Sequence, residues 1–252
     1  MLHDITTINH LRVEDSEGEA GSVADLLIDD GSWTVRYVVI DIGSWLTGRK
    51  ILVPPVVVGK PDWSRSFLPM SVSRERIEQS PEIDLDQPVS RQQEERLHAH
   101  FAWQPYWAGE PSRGEFQTEM PLAEDTGDDH QDESVPMGDP AGDPDLRSYQ
   151  EMVGYRVQAN DGPVGGVSGI IMDDETWTIR YVIVDADEIA PGRKLLLAVD
   201  WIDRVSWDQA SLYVDMRQET IKESPAYDPS VPVNEPYEEA LHAYYQQGGP
   251  KR

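Results

Sequence analysis

Four groups of residues have types and spacings that could do chemistry, and each occurs twice in the chain. Asp41 stands before Arg49-Lys50, and Asp185 before Arg193-Lys194. An acid facing two cations across a short loop can form a cross-strand ion pair, with Asp41 near Arg49, or leave a basic rim for an acidic partner. Arg36-Tyr37 and Arg180-Tyr181 set a cation beside a phenol, and on a strand such neighbours face opposite ways. Arg36 can then bind an anion or a partner carboxylate, or pair with a nearby acid or ring. Asp29-Asp30 and Asp173-Asp174 suggest calcium or acid–base work, but no twelve-residue ligand loop surrounds them, and turn formation explains them better. Glu94 and His98, like Glu238 and His242, have the i,i+4 spacing of a helix pair.

Other chemistries find no support. The chain has no cysteine, which removes disulfides, thiolate zinc sites and thiol nucleophiles. No phosphate-cradling loop, dinucleotide fingerprint or H-E-x-x-H occurs. Gly165-Gly166-Val167-Ser168-Gly169 lacks the spacing of a nucleophile elbow and reads as a strand entrance. His98 and His100 cannot share a helix face, so they do not make a metal site. The expectation is therefore no catalytic set, no metal site and no cofactor. A net charge of −26 repels phosphate backbones and argues against free nucleic acid as a partner. The opening residues carry no basic, then apolar, leader, and Val35 to Ile42 is too short to span a bilayer, so a soluble cytoplasmic chain without a transmembrane segment is expected.

Position by position, a shift of 144 (177 − 33) carries Trp33 to Trp177, Arg12 to Arg156 and His98 to His242 without a gap. So long a period means two duplicated domains, and it sorts residues: what the fold needs should recur. We place the first copy with its helical tail at 1-107, an acidic Gly/Pro-rich linker at 108-145, and the second copy with its tail at 146-252. Glu124 to Asp145 holds nine acids and no lysine or arginine, the composition of a disordered linker. Each copy shows about six short strands in roughly sixty residues, spaced as in a small antiparallel barrel that buries its own core. In the first copy these are Leu11-Arg12-Val13, Val23 to Asp29, Trp33 to Asp41, Lys50 to Val53, Val56 to Val58 and Phe67 to Met70. Asp30-Gly31-Ser32 lacks its glycine in the second copy, which predicts a turn that avoids an obligatory positive φ, most simply a longer type I loop, shared by both copies. Val38-Val39-Ile40 and its mate break the polar alternation, so both faces there are expected to be covered. Tail helices follow over Ser73 to Ile77, Gln92 to Phe101 and Tyr237 to Tyr245. Trp103, Pro105, Tyr106 and Trp107 follow the first tail helix without a counterpart, as a clamp over the first barrel or a patch for a partner.

The segments Gly21 to Pro54 and Gly165 to Ala198 share a D-D-x-x-W-x-x-R-Y-V pattern, then G-R-K and an aliphatic strand. With the Ser-Pro turns at 80-81 and 224-225 and the Glu-Glu-x-Leu-His-Ala helices, the chain resembles tandem PRC-barrel proteins, named for the cytoplasmic barrel of the photosynthetic reaction-centre H subunit. The resemblance implies a mainly β fold of two small antiparallel barrels and a non-enzymatic protein-interaction or assembly role. The alternative it implies is a soluble accessory subunit in photosynthetic electron transport, with peripheral contact to a membrane complex. Expected partners are another protein or the other barrel. Arg36, Arg49, Lys50, Arg180, Arg193 and Lys194 are the expected contacts, and reversing the charge of Arg49 and Arg193 is expected to leave the melting temperature nearly unchanged.

Overall fold

The computed structural model describes residues 1–15, 18–42, 49–81, 89, 91–107 and 146–248. The 108-145 linker, most of the loop before Arg49 and the Ile83-Asp84 turn lie outside these residues. The first copy runs β1 (Leu2–Asp4), β2 (Arg12–Asp15), β3 (Gly18–Asp29), β4 (Thr34–Asp41), β5 (Lys50–Val53), β6 (Phe67–Pro69), α1 (Arg74–Glu78) and α2 (Arg91–Phe101). The second runs β7 (Leu146–Ser148), α3 (Tyr149–Met152), β8 (Arg156–Ala159), β9 (Gly162–Asp173), β10 (Thr178–Asp185), β11 (Lys194–Ala198), β12 (Ile202–Ser206), β13 (Ser211–Val214), α4 (Gln218–Lys222), β14 (Ala226–Tyr227) and α5 (Glu235–Gly248). The fold is mainly β, a curled half-barrel sheet flanked by short helices, and no helix among the described residues is long and apolar enough to cross a membrane.

Curling starts at a glycine. β3 and β9 each run for twelve residues, pairing with β2 or β8 at one end and β4 or β10 at the other. At the bend, Gly21 (φ +148°) and Gly165 (φ +156°) press against the carbonyls of Asp41 and Asp185, where a side chain has no room. The turn between β3 and β4 differs from expectation. It does contain a positive φ, carried not by glycine but by Trp33 and, in the other copy, by Trp177, both at 54°. Asp29 Oδ1 accepts the amides of Gly31 and Ser32 and Asp173 Oδ1 that of Glu175, so the acids shape the turn as the sequence suggested. Burial of each indole against the core, partial for Trp33 and nearly complete for Trp177, is the gain that offsets the αL strain. Nor is Val56 to Val58 a strand: Pro55–Val57 is a 3₁₀ turn, because proline has no amide to give to a ladder.

The two copies are joined about a local two-fold. Thr34 pairs with Thr178, with reciprocal bonds from Val35 N to Trp177 O (2.9 Å) and Ile179 N to Trp33 O (2.7 Å). β1 leaves its own copy to pair with β9, and β7 pairs with β3 in matching register: Leu2 opposite Asp173, Leu146 opposite Asp29. Indoles repeat the exchange, Trp63 Nε1 donating to Asp174 (3.2 Å) and Trp207 Nε1 to Asp30 (2.8 Å). Separate burial of each core is therefore corrected: buried residues from Ile5 to Tyr245 form one hydrophobic cluster. Short N-terminal strands with an exposed edge gain more by crossing to the partner copy, where both ladders and side chains are satisfied at once.

Candidate functional site

Val38, Val39 and Ile40, like Val182, Ile183 and Val184, are buried on both faces, as their unbroken apolar run implies. Beside them the tail helix of each copy brings its polar face down onto the strand. Tyr37 Oη donates to Glu94 Oε1 (2.8 Å) and lies 2.9 Å from His98 Nε2. The second copy repeats this with Tyr181, Glu238 (2.7 Å) and His242 (3.0 Å). A phenol has one proton to donate, and here its hydrogen bond to the carboxylate uses it, so the imidazole Nε2–H must donate to the phenol oxygen. The helical Glu and His therefore converge on a third residue instead of pairing with each other. The signal was present in the sequence, since Tyr37, Glu94 and His98 all recur at the same shift. What could not be read was their meeting, which depends on where α2 docks.

Burial drives the Tyr37 phenol far above its usual value, with Glu94 reinforcing it, and the Tyr181 phenol rises for the same reasons. Burial also lowers His98, and Arg91 adds to this. Neither phenol is poised to act as a base, and His98 is held neutral. The geometry suits a structural lock between helix and strand better than proton transfer.

Around this shared lock the copies diverge. In the first, Trp103 stacks on Phe101 (4.1 Å between centroids) and Trp107 meets the edge of His98 (5.0 Å). Tyr106 Oη donates to Glu94 (3.0 Å), while Arg36 lies over the Tyr106 ring (4.3 Å) and Arg91 over Trp107 (4.1 Å). The aromatic segment is thus a clamp, and Glu94 is wholly buried beneath it. In the second copy Trp201 takes the place of Trp103, lying 4.1 Å from Tyr245 and 5.4 Å from His242. Nothing there replaces Tyr106 or Trp107 among the described residues, and Glu238 and His242 are only half-buried.

The six expected contact residues separate accordingly. Arg36 is held by Asp29 Oδ2 (2.7 and 3.0 Å) and by the Tyr106 ring. Arg49 donates to the carbonyl of Ser80, and Arg193 to those of Lys222 (2.7 Å) and Ser224 (3.0 Å), so each guanidinium closes the end of a short tail helix. The ion pair expected between Asp41 and Arg49 is not the one the register favours. Asp41 lies opposite Lys50 and Asp185 opposite Lys194, whose Nζ reaches Asp185 at 2.5 Å and Ser168 Oγ at 3.1 Å. Lys50 and Arg180 are exposed, and Arg180 makes no hydrogen bond or ion pair among the described residues. Since Arg193 has two carbonyl partners, Arg193→Ala should lower stability by about 1–2 kcal/mol and the melting temperature by roughly 2–6 °C. A calorimetric scan checks this, and an unchanged transition would restore the surface role the sequence suggested.

Among the described residues no group of three or more histidines, aspartates or glutamates is arranged to hold a metal ion. An open groove between the copies, lined by Asp30, Trp33, Ile202, Asp203, Arg204 and Val205, already has its Asp30 engaged by Trp207. Compared with known proteins, the chain matches no family model and no curated protein.

Proposed function

We infer that this chain is a non-enzymatic interaction or assembly module, made of two PRC-type barrels fused into an internal dimer that offers related surfaces to a protein partner. One observation carries the reading. The most deeply buried polar cluster, Tyr37 with Glu94 and His98, recurs at Tyr181, Glu238 and His242 with closely similar distances, and in both copies the phenol proton is used within the cluster. A cluster whose proton is already committed and whose hydroxyl pKa is driven upward supports the fold and leaves recognition to the surface. Of the cations expected to meet a partner, Lys50 and Arg180 are exposed, whereas Arg36, Arg49, Arg193 and Lys194 hold internal partners.

Affinity purification of the full chain from its native cells, followed by mass spectrometry, tests this. A protein partner recovered in stoichiometric amount is expected, with recovery falling for Lys50→Glu or Arg180→Glu while the melting temperature stays within about 2 °C. Wild-type chain that captures nothing above background would end the interaction reading.

A further inference from the structure

The duplication supplies a template for a ligand. In the first copy the chain's own Pro105-Tyr106-Trp107 segment covers the lock, with the Tyr106 ring on Arg36 and its hydroxyl on Glu94. The second copy keeps three receiving groups at the same shift, Arg180 for Arg36, Glu238 for Glu94 and His242 for His98, and replaces a fourth, Arg91, by Glu235. Among the described residues it lacks the occupant. Residues 247 to 251, at the shift from Trp103 to Trp107, are Gln-Gly-Gly-Pro-Lys, with no aromatic among them. Trp201 fills the slot of Trp103 alone. Exposure of the receiving groups differs in the same sense. Glu94 is wholly buried and His98 nearly so, whereas Glu238 and His242 are half-buried, and Arg36 is half-buried where Arg180 is exposed.

Resting on the interaction-module reading above, we propose that the face formed by Arg180, Glu238, His242 and Trp201 binds an extended partner segment carrying a tyrosine. The tyrosine ring lies on the Arg180 guanidinium and its hydroxyl donates to the free lone pairs of Glu238, as Tyr106 does in the other copy. Glu235 stands where Arg91 stacks on Trp107, so the residue after the tyrosine is basic instead of a neutral indole. A net charge of −26 favours the same sign of partner. Proline before the tyrosine fixes an extended entry at low entropic cost.

The test titrates acetyl-Gln-Pro-Tyr-Arg-Ala-amide into the full chain and follows the Trp201 indole and Arg180 Nε–H resonances. Saturable shifts at these groups are expected, with a dissociation constant on the order of 0.1–1 mM for so short a peptide. Arg180→Ala in the protein, or Tyr→Phe in the peptide, should each weaken binding about fivefold, and Tyr→Ala should weaken it more. Because Arg180 is exposed and unpaired, its variant keeps the fold. Absence of saturable shifts, shifts centred on the first copy, or affinity indifferent to Arg180 and to the tyrosine would overturn the proposal. The interaction role fails separately, on the partner capture described above.

Discussion

Gly165→Ala should destabilise the whole molecule by about 3–5 kcal/mol and lower its melting temperature by roughly 10 °C. A Cβ at that position would sit 1.8 Å from the carbonyl oxygen of Asp185 and 2.8 Å from its carbonyl carbon, and both are backbone atoms of the neighbouring strand end. They cannot swing away as a side chain could. Either β9 and β10 separate, or the bend that lets β9 serve two neighbours straightens. The φ of +156° adds strain of its own. Gly21→Ala should behave alike but more mildly, with its contact at 2.3 Å. Gly192 makes the control: its φ is +77°, yet nothing lies within 4 Å of an added Cβ, so alanine there should cost only about 1 kcal/mol of backbone strain. Thermal melts of the three variants check the ranking. Equal, small shifts at 165 and 192 would mean that the close strand approach is absent.

Glu94→Ala should cost about 2–4 kcal/mol, because it strips a shared acceptor from two phenols and a counter-charge from a guanidinium at one buried point. Tyr37 and Tyr106 both donate to Oε1, and Arg91 lies 2.9 Å from Oε2. The first phenol has no water to turn to, since Tyr37 is fully buried. Glu238→Ala is the matched comparison. Only Tyr181 donates to that carboxylate among the described residues, and the site is half-open, so water can take over, for a loss of about 1 kcal/mol. Chemical denaturation of the two variants measures the difference. A loss at position 238 equal to that at 94 would remove the claim that the copies share a lock but differ in its cover.

Much of the architecture was legible because it was written twice. The strand run through Tyr37 and Tyr181, the tail helices ending before Ser80-Pro81 and Ser224-Pro225, and the turn-forming role of Asp29 and Asp173 follow from local pattern. Local pattern could not show what depends on docking. β1 and β7 are three-residue strands with no alternation long enough to register, and their partners lie in the other copy. The role of Arg49 and Arg193 was missed for a related reason. Their sequence neighbours suggested a loop-mouth ion pair, whereas their partners are carbonyls 29 to 31 residues on, freed by the end of a helix. The positive φ at Trp33 and Trp177 escaped because an indole is a poor candidate for αL until its burial is known.

Fusion of the copies into one core makes them a single cooperative unit, and hydrogen exchange on the Gly165→Ala variant tests that most directly. The substitution lies in the second copy, more than a hundred positions from Tyr37. Amides of Tyr37 to Ile40 should lose protection together with those of Tyr181 to Val184, by about the same free energy. Loss confined to residues 146 to 248, with full protection kept in the first copy, would show two independent barrels and contradict the shared core.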